Sequence, residues 1–400
     1  MLRNLGMSLT VATGLLWAGA GMAQEERLPE ERLPEGRLAA RQSGPRVQSP
    51  LVNADQTITF SILAPDARAI SAAIWTPPTN TTVELKKDGK GLWRGTSPVM
   101  APDLYYYHLN VDGVVCADPG ATWFKGHSKD LMCMVEVPGK ENPVWRIRDG
   151  IDHGALTHHL FNSKASGGVR GLNVYTPPSY YKSNKKYPVL YLLHGAGGDE
   201  TRWVDVGLID RILDNWIAEG KIAELVVAIT SNRVGGGPAA EERAPANALA
   251  SAPAPGASIL EGYFLQEILP FVESHYRVDK DKEKTAVAGF SMGGAQSLQL
   301  ALNHPDRFGA LASLSGAIHR ADIMERYPVL KDAKQVNKEF PVLYVVCGEH
   351  DALNVAAKTF HEQLAKAGIN HKYLTGPGGH AYKVDWPMME KFLHDFTMER

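Results

Sequence analysis

The segment Gly289-Phe290-Ser291-Met292-Gly293 has the residue types and spacing of a nucleophile turn. A short apolar run precedes it at 284–288, a helical stretch follows at 295–303, and Pro305 stops that stretch. A serine at a tight strand-to-helix corner stands exposed at its apex. Glycines on either side avoid collisions where strand and helix approach closely. A serine hydroxyl is a weak nucleophile until a base takes its proton, so a base and an acid to orient it must lie elsewhere. Asp351 follows the apolar run 342–347, and His380 follows the run 372–374. Both fall in loops after predicted strands, in the order Ser, Asp, His. Glu349 shares the loop of Asp351, but Asp351 lies further past the strand, where a loop can turn toward His380. The other histidines fit less well. His361 and His394 fall within predicted helices, His371 begins a strand, His319 precedes the acid, His304 adjoins Pro305, and His350 reads as a bystander.

In this assignment Ser291 attacks an ester carbonyl. His380 accepts the serine proton and later gives it to the leaving alcohol, while Asp351 fixes the imidazole tautomer and stabilises its charged form. The developing oxyanion needs donors. One is expected at the backbone N–H of Met292, and the second in the glycine-rich loop 194–198, at the N–H of Ala196. That loop lacks the Gly-Lys-Ser/Thr ending of a phosphate cradle.

Such residues need a scaffold. Apolar runs at 187–193, 225–229, 310–315, 342–347 and 372–374 join the one before Ser291, and helical patterns at 206–219, 259–275, 355–367 and 388–398 alternate with them. Pro270 predicts a bend in the second of these helices. The alternation predicts an α/β domain over 142–400, with a mostly parallel sheet covered on both faces. Sites in such sheets gather at the carboxyl ends of the strands, and the Ser, Asp, His order is that of an α/β-hydrolase.

The residues before 142 read differently. Arg3, an apolar run at 5–18 and small residues up to Ala23 form a signal-peptide pattern over 1–23, too short and glycine-rich for a comfortable membrane span. A secreted or periplasmic location follows. Residues 24–50 repeat Glu-Arg-Leu-Pro-Glu and read as a low-complexity linker without a core. Short strands at 58–63, 69–75, 92–96, 105–111 and 132–137, separated by turn signals, predict a small immunoglobulin-like β-sandwich over 51–138. Trp75, Trp93 and Trp123 in it serve either as core or interface packing or as stacking faces for sugar rings. The chain has three cysteines. Cys116 and Cys133 share the small domain, and an exported compartment permits a bridge between them. Cys347 is left over as a buried thiol. Formal charge over the 400 residues is −2, and no basic stripe points to nucleic acid.

Residues 150–400 resemble the esterase-D-like branch of α/β-hydrolases, which holds bacterial feruloyl esterases, acetyl xylan esterases and enterochelin-ester hydrolases. The resemblance rests on Asp152-His153-Gly154, Val174-Tyr175-Thr176-Pro177-Pro178, the run 187–195 ending in His194-Gly195, Gly289 to Gly294, and Gly378-Gly379-His380. The segment 51–138 resembles carbohydrate-binding modules related to those of glycogen-branching enzymes, through Ala64-Pro65-Asp66-Ala67, Gly91-Leu92-Trp93 and Asp118-Pro119. The resemblance implies hydrolysis of an ester on a plant polysaccharide, with ferulate on arabinoxylan the first candidate and acetyl or siderophore esters the alternatives. It implies no cofactor and no metal, while the near-neutral charge points away from a nucleic-acid partner and the short N-terminal run away from membrane attachment after signal removal. Two departures stand out. Members often carry Trp at the second and fifth positions after the histidine, whereas this chain has Tyr382, and Trp386 comes six residues on. Residues 231–257 form a Gly/Pro/Ala-rich insertion, either a lid or a loose loop. A binding protein on an idle hydrolase scaffold is the competing class, but it has no use for a base poised over a serine. A peptidase or acyltransferase would use the same three residues.

Overall fold

The computed structural model describes residues 47–76, 79–125, 132–140, 143–234, 259–318 and 323–399. The signal-peptide pattern, most of the linker, His319 and residues 235–257 of the insertion lie outside them.

The first ten strands are β1 (Leu51–Val52), β2 (Ile58–Leu63), β3 (Ile70–Ile74), β4 (Thr81–Glu84), β5 (Lys86–Lys87), β6 (Leu92–Thr96), β7 (Asp103–Val111), β8 (Val114–Cys116), β9 (Phe124–Lys125) and β10 (Met132–Val137). They form a four-stranded sheet, β1-β2-β6-β5, and a second sheet, β4-β3-β7-β10-β9, with β8 paired to β7. Ile58 and Phe60 of one sheet share a core with Ile70, Ala72, Tyr107 and Val135 of the other. Successive strand residues point to opposite faces, and β7 uses both. Tyr105, Tyr107 and Leu109 enter this core, while Leu104 and Tyr106 enter the core beneath the next sheet. Cys116 and Cys133 are free thiols, and the Cys133 sulfur accepts the Asp118 N–H at 3.2 Å.

The remaining strands are β11 (Ala155–Ser163), β12 (Gly168–Thr176), β13 (Val189–Leu193), β14 (Val226–Thr230), β15 (Thr285–Phe290), β16 (Ala310–Leu314), β17 (Val342–Gly348) and β18 (Lys372–Gly376). They form one sheet in the order β11-β12-β14-β13-β15-β16-β17-β18. Only the β11–β12 and β12–β14 pairs are antiparallel; the rest are parallel. The apolar strand sequences follow from burial on both faces. Val189, Tyr191 and Leu193 enter one core, and Leu190 and Leu192 the other.

The helices are α1 (Arg202–Asp205), α2 (Ile209–Ala218), α3 (Ile259–Tyr263), α4 (Leu269–His275), α5 (Met292–Asn303), α6 (Ile323–Arg326), α7 (Ala333–Glu339), α8 (Asn354–Lys366) and α9 (Tyr382–Met398). Three expectations need correction. The helix expected over 206–219 starts at Ile209, because Leu208 takes a left-handed φ of 50°. Where a bend was expected at Pro270, a π turn at Phe264–Ile268 stands between α3 and α4, and Pro270 falls in the first turn of α4, where its missing N–H is tolerated. The last helix begins at Tyr382, six residues before 388, and carries Pro387 inside it. The antiparallel pair β11–β12 was not singled out from the sequence. β11 is an edge strand whose residues alternate between half-buried and exposed, so it lacks a strong apolar signature.

Candidate active site

Ser291 lies between β15 and α5, with φ 56° and ψ −116°. This strained conformation is maintained by the surrounding contacts. The Ser291 N–H donates to Leu314 O at 2.9 Å, and Ser291 O accepts the Ala317 N–H at 2.9 Å. A Cβ on Gly289 would lie 2.4 Å from the Gly293 carbonyl, and one on Gly293 would lie 2.6 Å from Leu193 O. Both positions therefore exclude any side chain, which brings the start of α5 down onto the end of β13.

The structure brings Ser291, His380 and Asp351 together. Asp351 Oδ2 lies 2.7 Å from His380 Nδ1, and His380 Nε2 lies 2.9 Å from Ser291 Oγ. An ionised carboxylate only accepts, so Nδ1 carries the proton and Nε2 is left to accept from the serine. Burial alone would raise the Asp351 carboxyl, but the hydrogen bond and charge of His380 outweigh it and hold it below its usual value. The Leu353 N–H also donates to Asp351 Oδ1 at 2.8 Å. Glu349 and His350 are exposed, and their N–H groups bond Gly376 O and Gly378 O. Cys347, below this loop, is a buried thiol pushed up to about 12 by burial.

The N–H of Met292 opens α5, a twelve-residue helix whose positive dipole end faces the serine. Ala196 lies in the loop after β13, and hydrogen bonds pin groups on both sides of it. His194 Nδ1–H donates to Gly195 O at 2.7 Å, and His194 Nε2 accepts the Asn232 N–H at 3.2 Å. Burial lowers His194 to about 4 and keeps it neutral. Asn232 bonds both the N–H and the carbonyl of His194. The Gly195 N–H donates to the Tyr382 hydroxyl at 3.1 Å, and Arg202 Nη2 donates to Gly197 O at 2.8 Å. Among the described residues neither the Met292 nor the Ala196 N–H has an acceptor. Asn232, Tyr382 and Arg202 were not assigned roles from the sequence. The strand-end rule that located Asp351 would have pointed to Asn232, which follows β14 by two residues.

A cavity of about 250 Å³ opens at Ser291, lined by Ala196, Arg202, His380 and Tyr382, and by Trp75 and Tyr106 from the first β segment. Trp75 and Tyr106 pack with ring centroids 5.9 Å apart. Trp93 is buried in the sandwich core, and Trp123 packs at the hydrolase side with Arg211 over its ring. The three tryptophans thus divide between packing and the cavity wall. Asp152-His153-Gly154 has a structural role: His153 Nδ1 and the Gly154 N–H both bond buried Asp214, which also accepts from the Tyr175 hydroxyl.

Parallel strands with the serine, acid and histidine in loops at their carboxyl ends define an α/β-hydrolase fold. Residues 163–389 match the family described as "Putative esterase", and the chain belongs to that family. It is 30% identical over 352 residues to an endo-1,4-beta-xylanase/feruloyl esterase of Xylanibacter ruminicola, covering 83% of this chain and 44% of the relative. It is 27% identical over 272 residues to an esterase of Mycobacterium tuberculosis, covering 58% of this chain and 56% of the relative. The chain thus spans about half the length of these curated relatives. Among solved structures, an enterobactin esterase of Shigella flexneri aligns with a TM-score of 0.62 at 17% identity, over 85% of this chain and 92% of that one. A ferulic acid esterase of Anaeromyces mucronatus aligns with a TM-score of 0.51 at 20% identity, over 64% and 94%. At these identities the structural likeness concerns the fold. Among the described residues no helix is long and apolar enough to cross a membrane.

Proposed function

We propose that the chain is a serine carboxylic ester hydrolase of the feruloyl-esterase type, exported from the cell and acting on esters that decorate plant polysaccharide. The observation that carries this is the continuous hydrogen-bonded line Asp351–His380–Ser291 beside two backbone N–H groups without acceptors. Ser291 Oγ attacks the ester carbonyl as its proton passes to His380 Nε2. The carbonyl oxygen becomes an oxyanion held by the N–H groups of Met292 and Ala196. His380 then protonates the leaving alcohol, and the resulting acyl-enzyme is hydrolysed by a water that His380 deprotonates. Asp351 stays ionised and steadies the imidazolium. His380 must be neutral to act as base, so kcat/KM falls toward acid.

The cavity bears on the acyl group. At about 250 Å³ it lies below the roughly 300–1,000 Å³ of drug-sized sites. It suits one acyl group, with the sugar outside. Its aromatic walls favour a hydroxycinnamoyl group over acetyl. The β segment 51–138 is proposed as a separate domain that completes this wall, and glycan binding by it rests on resemblance alone.

Hydrolysis of methyl ferulate, an acetyl ester and acetylated xylan, with the Ser291→Ala protein as blank, tests the reading. Preference for ferulate supports it, and preference for acetyl moves the chain to the acetyl xylan esterase type. Turnover of none of them overturns the feruloyl and acetyl readings, leaves the three residues in need of another ester and favours the idle scaffold, and turnover that survives in the blank removes Ser291 as the nucleophile.

A further inference from the structure

We propose that Arg202 is a substrate-recognition residue whose guanidinium donates to an oxygen acceptor on the acyl group attacked by Ser291. The inference rests on the ester-hydrolase reading and gives that site a substrate class: esters whose acyl group bears a second oxygen, neutral or anionic, away from the scissile carbonyl.

Arg202 opens α1, directly after the oxyanion loop, and is only 8% exposed. A guanidinium offers five N–H donors. One is used, on Gly197 O at 2.8 Å. Among the described residues no carboxylate lies within 4.0 Å of it, and no aromatic ring sits beneath it. Asp199, three residues before, accepts through Oδ1 from the N–H and hydroxyl of Thr201 at 2.9 and 2.8 Å. Burying a cation without a partner is costly. Arg202 lines the cavity that holds Ser291 and His380. In the complex a substrate oxygen accepts from its remaining donors.

The cavity limits what that oxygen belongs to. It has room for about one acyl-sized group, so a group seated against Ser291 also meets Arg202. Trp75, Tyr106 and Val206 supply apolar and aromatic faces around it. Those faces hold the body of a planar acyl group, while the guanidinium reads its oxygen. The rival role for Arg202 is to clamp Gly197 alone, which would affect every ester alike.

The test is kcat/KM for wild type, Arg202→Gln and Arg202→Lys on three methyl esters: cinnamate, 4-hydroxycinnamate and 4-carboxycinnamate. Wild type should favour at least one oxygen-bearing ester over methyl cinnamate by about tenfold or more, the scale of a hydrogen bond to a charged group. Arg202→Gln should reduce that preference to about threefold or less, chiefly through KM, and Arg202→Lys should keep part of it. The stronger of the two oxygen-bearing esters tells a neutral acceptor from an anionic one. Absence of the preference in wild type, or an equal loss on all three esters in Arg202→Gln, overturns the proposal. Calorimetric binding of the three free acids to Ser291→Ala protein, with and without Arg202→Gln, reads the subsite without turnover. If no ester is hydrolysed but oxygen-bearing acids bind in an Arg202-dependent way, the hydrolase reading fails and the subsite stands. Equal binding of all three acids overturns the subsite. Thermal unfolding checks that Arg202→Gln folds; if it does not, Arg202→Lys carries the comparison.

Discussion

In the proposed mechanism Ser291, His380 and Asp351 act as a unit, so removing the serine should cost nearly everything they contribute. Ser291→Ala is expected to lower kcat by roughly 10⁴-fold or more while leaving Tm within a few degrees; rapid-quench or steady-state assays beside thermal unfolding check both. Behind them lies a second acid. Asp385 is fully buried, with one oxygen 3.4 Å from the Ser315 hydroxyl and the other without a partner among the described residues. Burial, then the charge of Asp351, raises its carboxyl well above 3.8. The folded state therefore holds a proton that the unfolded chain releases, and stability falls as pH rises from the unfolded value toward the folded one. Asp351 has the opposite sign: its folded value is depressed, so its contribution is present above the unfolded value and lost as pH falls through the folded one. Consequently the Tm of wild type relative to Asp385→Asn should decline from pH 4 to pH 8. A difference that stays constant over that range would show Asp385 ionised in the fold. Tyr382 is the third residue of note, because its hydroxyl accepts the Gly195 N–H and ties the loop of Ala196 to the segment after His380. An indole N–H only donates, so a tryptophan in place of Tyr382 would leave the Gly195 N–H unpaired. Tyr382→Phe should lower kcat about tenfold with little change in KM, and speed amide exchange in the loop after β13.

Among the elements, the β15–α5 turn has least freedom. Gly293→Ala would press a methyl group against Leu193 O and His194 O, both backbone atoms that cannot swing aside. A loss of about 1–3 kcal/mol is expected, together with a fall in kcat, since the displaced helix carries the Met292 N–H. Urea unfolding and kinetics on one small ester measure the two effects. This turn was legible in the sequence because its chemistry is local: the glycines, the serine and the apolar strand are neighbours in the chain. The same holds for the parallel strands, whose continuous apolar runs report burial on both faces. β11 was not legible, since an edge strand buries little. The start of α9 was not legible either, because proline usually interrupts a helix, whereas here Trp386 and Met389 on either side of Pro387 pack into the core beneath the sheet.

At the scale of the whole molecule, the first β segment shares more than a boundary with the large sheet. Leu104, Tyr106 and Met134 lie in the same core as α2 and α9, and Lys383 of α9 bonds Asp103 and Leu104 O. Trp75→Ala is therefore expected to raise KM severalfold on small soluble aromatic esters, without any polysaccharide present. Loss confined to insoluble substrate would instead give Trp75 a role in glycan binding alone.

The sequence by itself determined the glycine-flanked serine turn, the aspartate and histidine in strand-end loops and the sheet that carries them, because each depends on short-range pattern: period, turn chemistry and order along the chain. The tertiary structure alone decided the walls of the cavity. Trp75, Tyr106 and Arg202 stand far from Ser291 in the chain, and a tryptophan on a strand looks the same in sequence whether it faces its own core or a neighbouring one. Side chains reveal that choice only when two packed surfaces meet.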